Sequence, residues 1–256
     1  MYIAGAHGIA APRSSKKTGR EQVTKTFERG IERLEAELAK KKQLSNNKAK
    51  IREATSDTYG WVTEYTKTYN EHWVEEGRPS PYEPFPRYEY FRDLFGLFDL
   101  ERIVWIEKSR DMMISWACVA YFTRHAMVIP QRGVLFQTQK KDKVIQLINY
   151  AKCLYEQQED WLKAAFPLSK AMRAQPADSL TFAHGGYLKG VPGGADQIRS
   201  YHPWGYLLDE ASFVVEAGEC YNQALAAAKG KIILNSSAGP GWYADARHDI
   251  IRNAED

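Results

Sequence analysis

From residue 102 onward, short apolar runs alternate with longer amphipathic stretches. The runs at 102–106, 133–138, 204–208 and 231–235 predict strands, because each is short and mainly apolar. The stretches at 115–127, 141–166 and 216–228 predict helices, and 179–182 with 187–191 predict a hairpin around His184-Gly185-Gly186. Such alternation predicts an α/β fold with a mainly parallel sheet flanked by helices on both faces.

The N-terminal part has a different pattern. Residues 1–20 indicate a basic tail, and five apolar residues then follow at helical spacing: Val23, Phe27, Ile31, Leu34 and Leu38. Residues 40–50 indicate a frayed end or a break in that helix. A second helix is predicted over about 55–76, where the proline-rich segment 78–88 stops it. The sequence therefore predicts a helical region at 1–77 and a second domain at 78–256.

Charge is unevenly distributed along the chain. Residues 1–50 hold 12 lysines and arginines against 5 acidic residues, and the remainder holds 23 against 27. A basic arm of this kind suggests an anionic partner, although a solvated helix surface gives the same pattern. The longest apolar stretch, 114–122, is too short to span a bilayer. The three cysteines are far apart, which fits a reducing cytosol.

Three loops that follow predicted strands carry polar residues. The first, EKSRDMMIS at 107–115, can be aligned on Ser115 with the phosphate-binding pattern GxxxxGK[ST]. In that alignment Lys108 and Met113 replace the two glycines, and Ile114 replaces the lysine. Taken alone, this match is weak, and an ordinary strand-to-helix turn with a surface lysine and arginine is favoured over it.

The second loop, GYLLDEAS at 205–212, places Asp209 and Glu210 at the end of an apolar strand. Successive strand side chains point in opposite directions, so one acid can reach Mg²⁺ and the other a water molecule. Phosphoryl transfer needs that division of roles. The alternative is an acidic pair that caps the next helix.

The third loop, ILNSSAGPGW at 233–242, ends a strand in Ser236 and Ser237, followed by glycines that allow a sharp turn. Two hydroxyl groups at this point can sense the γ-phosphate and pass the signal on. In isolation, the same pattern is typical of a plain turn.

The order and spacing of these segments over about residues 80–245 resemble the ATPase of the phage terminase large subunit. The resemblance rests on KSRDMMISW, GGADQIRSYHPWGYLLDEAS and NSSAGPGWY. It implies a P-loop NTPase fold of the RecA/ASCE type with an N-terminal helical region. It also implies a phage or prophage motor that uses ATP and Mg²⁺ to move double-stranded DNA into a procapsid.

The resemblance assigns roles to individual residues. The ATP-binding loop comprises Lys108, as a relocated Walker A lysine, with Ser109, Arg110, Asp111, Met112, Met113, Ile114 and Ser115. Arg110 is the sensor arginine, and Glu210 and Arg199 are the water-polarising acid and the arginine finger. Ser115 and Asp209 hold Mg²⁺, and Ser236 and Ser237 couple hydrolysis to movement. The segment 81–91 occupies the adenine-binding place, with Phe85, Pro86 and Tyr88, but lacks the family's usual glutamine.

The resemblance further implies partners and a location. The partners are double-stranded DNA, the portal protein of the procapsid and the small terminase subunit. The ATPase is expected to be a monomer alone and a homo-oligomeric ring when assembled. Its location is the cytoplasm of the infected bacterium, transiently at the portal. No nuclease activity is expected from this chain, because no clustered aspartates follow the ATPase segment.

Two alternatives remain open on the sequence. One is another nucleic-acid-dependent ATPase, such as a superfamily 2 helicase, which shares the DE pair and a hydroxyl motif but normally keeps GKT. The other is a catalytically degenerate P-loop module that only assembles or binds DNA. The missing glycines favour the degenerate module, whereas the intact DEA and Arg199 oppose it.

Overall fold

A computed structural model describes residues 15–170 and 176–255 of the chain. Contacts divide the chain into two compact units, Met1–Lys50 and Ile51–Asp256. Residues 51–77 therefore make their contacts within the second unit, whereas the sequence groups them with the N-terminal region. Within the described residues, no helix has both the length and the apolar character needed to cross a bilayer.

Helix α1, Ser15–Ala54, is a single long helix. The predicted tail up to residue 20 and the predicted break at 40–50 are both wrong in the described part, because the helix runs unbroken. Residues 1–14 of that tail lie outside the described residues. Residues 40–54 contain neither glycine nor proline and are rich in helix-forming residues, so the helix continues through them. Residues 32–50 are exposed throughout, including the apolar Leu34 and Leu38.

The second unit begins with a helix and a small hairpin. Helix α2, Thr58–Tyr65, starts at Asp57, whose carboxylate accepts a hydrogen bond from the Gly60 amide. Strands β1 (Lys67–Tyr69) and β2 (Tyr82–Pro84) then pair antiparallel, and helix α3 covers Glu89–Leu100. The helix predicted over 55–76 is therefore wrong beyond residue 65, where threonine and tyrosine residues favour extended backbone.

The remaining elements form the predicted α/β body. In chain order they are β3 (Ile103–Lys108), α4 (Ile114–Val128), β4 (Gly133–Gln137), α5 (Lys141–Glu156), α6 (Asp160–Ala165), β5 (Ser179–Thr181), β6 (Tyr187–Val191), α7 (Asp196–Arg199), β7 (Gly205–Asp209), α8 (Ala217–Ala227), β8 (Lys231–Ser237) and α9 (Trp242–Glu255). Six strands form one sheet in the order β3-β8-β7-β4-β6-β5. All neighbours are parallel except β5 and β6, which form the predicted hairpin.

The two faces of the sheet contact two separate hydrophobic cores. Leu207 and Ile233 contribute to the core beneath α2, α3, α4 and α5, whereas their neighbours Leu208 and Leu234 contribute to the core beneath α8 and α9. Both faces are therefore buried, which explains why these strands are continuous apolar runs. The predicted mainly parallel sheet with helices on both faces and an N-terminal helix is confirmed.

The helix predicted over 141–166 is wrong as a single element, because it divides into α5 and α6. Gln158 lies between them, fully buried, and its amide nitrogen donates to the Tyr155 carbonyl. The side-chain oxygen of Gln158 accepts a hydrogen bond of 2.9 Å from the indole of Trp61. The chain therefore turns at a buried amide whose nitrogen and oxygen are both hydrogen-bonded.

We expect Trp61→Ala to lower the free energy of unfolding of the second unit by about 3–5 kcal/mol, the usual cost of truncating a buried tryptophan. Trp61 is 1% exposed, and its loss also leaves the buried side-chain oxygen of Gln158 without the indole donor. The measurement is urea denaturation followed by circular dichroism. Val74→Ala is the control, since Val74 is 68% exposed. An unchanged midpoint in Trp61→Ala would place residues 51–77 outside the cooperative unit.

Candidate nucleotide-binding site

The carboxyl ends of the parallel strands place the predicted site residues along one edge of the sheet. The pairing of β3 with β8 sets Lys108 opposite Ser237. The pairing of β7 with β8 sets Asp209 opposite Asn235. Ligands of open α/β sheets bind in the crevice outside these ends. Strand register alone therefore brings the three predicted loops together.

The loop between β3 and α4 has an unusual backbone. Asp111 has a φ of 63° and Met113 a φ of 53°, so both adopt the left-handed conformation that favours glycine. For other residues this conformation costs about 1–2 kcal/mol. Met113 occupies the position that aligns with the second glycine of a P-loop, and it keeps a glycine-like backbone there. The Tyr90 hydroxyl donates to the Met112 carbonyl at 2.9 Å, which holds the loop from the side of α3.

The side chains of this loop divide into buried and exposed groups. Ile114 is 4% exposed and belongs to the hydrophobic core, so only its backbone can face a ligand. Ser109, Arg110 and Asp111 are exposed, and Met112 and Met113 are partly buried. The side chain of Lys108 is 10% exposed and ends beside the acidic pair. The position that aligns with the P-loop lysine is therefore apolar in this chain. The positive charge comes instead from Lys108, at the end of β3.

Ser115 and Asp209 form the first contact of the site. The Ser115 hydroxyl donates to Asp209 Oδ1 at 2.7 Å. Burial raises the pKa of Asp209, although hydrogen bonds from Ser115 and Asn235 oppose the rise. A hydroxyl and a carboxylate are oxygen donors of the type that Mg²⁺ uses together with substrate phosphates. These two residues fit a magnesium ion, although no group of three or more His, Cys, Asp or Glu side chains forms a metal cluster in the described residues.

Glu210 is held from two strands at once. Its Oε1 accepts a hydrogen bond of 2.6 Å from Lys108 Nζ at the end of β3. Its Oε2 accepts from the Ser237 amide at 3.1 Å and from the Ser237 hydroxyl at 2.8 Å, at the end of β8. Burial alone would raise the pKa of Glu210, but the hydrogen bonds from Lys108 and Ser237 outweigh it and lower the pKa. The carboxylate is therefore kept ionised.

Ser236 connects the same strand to the segment after the acidic pair. Its buried hydroxyl accepts a hydrogen bond of 3.1 Å from the Ser212 amide and donates to the Ser237 carbonyl at 2.8 Å. Glu210 itself has a φ of 53°, so the chain turns sharply between β7 and this segment. The two serines thus contact Glu210 and the backbone just beyond it.

A cavity of about 360 Å³ opens at this edge of the sheet. Five predicted residues line it, namely Arg110, Ser115, Asp209, Glu210 and Ser237. Seven more come from the end of β4, from α5 and from the turn after Glu210, and no role is predicted for them: Thr138, Gln139, Lys143, Gln146, Leu147, Tyr150 and Phe213. The polar run QTQKKDK after β4 is a signal that would have found several of them, since β4 ends at the same edge.

Arg199 is not brought to this cavity within the chain. It is the last residue of α7, its side chain is 63% exposed, and it forms an ion pair of 3.1 Å with Asp196 one turn earlier. Within one chain it therefore forms a local surface pair. Its predicted role as an arginine finger stays a prediction.

The predicted adenine-binding residues differ in accessibility. Phe85 is 1% exposed and packs in the core, so its side chain is not available to a ligand. Pro86 is partly buried, and Tyr88 is exposed and stacks on Tyr90 at a centroid distance of 5.4 Å. Of these three residues, only Tyr88 exposes an aromatic ring to solvent. It lies next to Tyr90, whose hydroxyl donates to the Met112 carbonyl.

The parallel sheet, the loop between β3 and α4 and the acidic pair after β7 define a P-loop type α/β fold. The large terminase of bacteriophage HK97 has this fold, with a TM-score of 0.56 at 10% identity over 79% of this chain and 42% of that chain. The likeness confirms the fold that the resemblance predicts. This chain spans 42% of the length of the HK97 protein.

Two further structures are similar at lower scores. The large terminase ATPase domain of Thermus phage P74-26 has a TM-score of 0.44 at 12% identity, covering 70% of this chain and 73% of that chain. The large terminase of another thermophilic bacteriophage, in complex with ADP, has a TM-score of 0.39 at 16% identity, covering 58% of this chain and 36% of that chain. No family model matches the sequence, and no curated protein matches it.

We expect Ser115→Ala to lower the free energy of unfolding at pH 7 by about 1–3 kcal/mol, because the buried Asp209 carboxylate loses a donor at 2.7 Å. The measurement is urea denaturation in the presence of a chelator, so that metal binding does not contribute. Ser109→Ala is the matched control, since the Ser109 hydroxyl is exposed and contacts only the adjacent Arg110 carbonyl. Equal midpoints for the two variants would contradict a stabilising role for the Ser115 hydroxyl.

Proposed function

We propose that this chain is the ATPase motor domain of a phage or prophage terminase large subunit. Its function is to hydrolyse ATP and to drive double-stranded DNA into the procapsid. The observation that carries the proposal is the convergence of Lys108, Ser115, Asp209, Glu210 and Ser237 at one edge of a sheet with the HK97 terminase fold. Nucleotide-hydrolysing sites use a cation on the phosphates, groups that hold Mg²⁺ and a residue that orients the attacking water.

Each group has a role in the reaction. The amides of residues 109–114 surround the phosphates, as in other phosphate-binding loops. Ser115 and Asp209 would hold Mg²⁺, which supplies charge neutralisation of the phosphates when bound. Lys108 and Arg110 add positive charge from the side of β3. Glu210, kept ionised by Lys108 and Ser237, accepts a hydrogen bond from the attacking water and orients it.

The coupling of hydrolysis to movement is assigned to the end of β8. Ser237 contacts the Glu210 carboxylate, and Ser236 contacts the Ser212 amide in the next turn. A change in the position of Glu210 would therefore be transmitted both to β8 and to the segment 211–213. Those contacts support the predicted coupling role of the two serines.

Arg199 is assigned to a neighbouring subunit's site. It is exposed and lies outside its own cavity, which fits an arginine that acts only in an assembled ring. The isolated chain is then a monomer with low activity. DNA, the portal protein and the small terminase subunit are the proposed partners, in the cytoplasm of the infected bacterium and at the portal. No nuclease activity is assigned to residues 1–256.

We expect Glu210→Gln to lower ATP turnover by at least about a hundredfold while leaving ATP affinity nearly unchanged, because only transition-state assistance is lost. The measurement is phosphate release, with portals and DNA present, alongside calorimetric binding of ATP. Lys108→Ala is the contrasting variant, since loss of the ammonium group weakens binding and turnover together. Retention of more than about a tenth of the turnover in Glu210→Gln would remove the assigned role. Absence of turnover in the wild-type chain would favour the degenerate module.

We expect Arg199→Ala to abolish turnover in assembled rings and to be rescued in part by mixing with Glu210→Gln subunits. In a mixed ring, an intact Glu210 site can adjoin an intact Arg199, and arginine fingers contribute about 10³–10⁵ in rate. Arg87→Ala is the matched control, since Arg87 is 63% exposed and pairs with Glu64 at 2.8 Å. If rings assemble but every mixing ratio stays inactive, Arg199 does not act on the neighbouring site.

A further inference from the structure

Lys143 is a cation in the candidate cavity to which neither the sequence motifs nor the proposed mechanism assigns a role. It lies in the first turn of α5 and lines the same cavity as Ser115, Asp209 and Glu210. The other cation that lines this cavity among the described residues is Arg110, on the loop after β3. The position of Lys143 on a different element from that loop gives it a distinct approach to a bound ligand.

The charges of the other site residues leave a bound triphosphate with few positive partners. Ile114 takes the place of the lysine that contacts the β- and γ-phosphates in an ordinary P-loop, and it is buried in the core. Lys108 donates to Glu210 at 2.6 Å, so part of its charge is balanced within the protein. Asp209 and Glu210 add two negative charges to the cavity lining. If Lys143 did not contribute, a triphosphate would meet a lining of described residues with one cation, Arg110, against these two acids.

The strand order places Lys143 on the side of the terminal phosphate. The phosphate loop leaves β3, and α5 follows β4, whereas β7 with Asp209 lies between β3 and β4 in the sheet. The loop would bind one end of the phosphate chain, and the chain would extend from there toward Asp209. Its terminal phosphate therefore approaches α5. We propose that Lys143 binds the γ-phosphate of the bound nucleotide, an inference that rests on the proposed function.

Gln146 is arranged to position Lys143. Its side-chain oxygen accepts a hydrogen bond of 3.3 Å from Lys143 Nζ. Its amide nitrogen donates to the Tyr150 hydroxyl at 2.9 Å and to Glu71 Oε1 at 3.2 Å. These two acceptors fix the orientation of the amide, so its oxygen faces Lys143. Gln146 therefore acts as a positioning residue, and Lys143 as the group that contacts substrate.

The test compares two nucleotides by isothermal titration calorimetry with the full chain and Mg²⁺. For Lys143→Ala we expect the affinity for β,γ-imido ATP to fall about tenfold or more, and that for ADP by less than about threefold, as for one charge-assisted contact to the γ-phosphate. Lys141→Ala is the matched control, because it removes the same charge from the same exposed turn outside the cavity lining. Lys143→Arg should retain most of the affinity, and Gln146→Leu should show a smaller loss with the same preference for the triphosphate.

The outcomes separate this inference from the proposed function. If the wild-type chain binds neither nucleotide, the proposed function fails and the role of Lys143 fails with it. If the wild-type chain binds both, the role of Lys143 alone is overturned by any of three results. These are unchanged binding in Lys143→Ala, an equal loss for ADP and the imido analogue, and the same selective loss in Lys141→Ala.

Discussion

The parallel pairing of β8 with both β3 and β7 is the constraint on which the site depends. One pairing sets Lys108 opposite Ser237, and the other sets Asp209 opposite Asn235. Because side chains alternate along each strand, a slip of one residue in either register would turn the terminal groups to the wrong face. The buried apolar residues of β8 on both faces of the sheet resist such a slip, so the hydrophobic cores fix the geometry of the polar edge.

Glu210 shows how that edge holds a charge. Its two carboxylate oxygens are bound from different strands, Oε1 by Lys108 and Oε2 by Ser237. Hydrogen bonds to the charged form favour it and offset the cost of burial. Asp209, one residue earlier, is more deeply buried and has a raised pKa. The pKa values of the two adjacent acids are therefore shifted in opposite directions by their different environments.

The sequence predicts the sheet well and the helices less well. Strands of this body are continuous apolar runs because both faces are buried, so their positions are visible in the residues themselves. The end of α5 was not predictable from the local pattern, because the next residues include Gln158, whose buried partner Trp61 is far away in the sequence. The three loops that follow β3, β7 and β8 were identified from their polar residues, and their side chains contact one another in the structure. Lys143 and Gln146 were missed because an exposed lysine-rich turn resembles an ordinary solvated surface.

The left-handed residues of the loop after β3 have a consequence for how relatives of this chain can be recognised. Asp111 and Met113 both have positive φ values, and Met113 aligns with the second glycine of an ordinary phosphate loop. At Met113 the backbone therefore has a conformation that glycine favours, although the side chain is not that of glycine. A search pattern written in amino-acid letters passes over such a loop. A pattern written in dihedral angles, with two left-handed residues separated by one other just before a helix, would retain it.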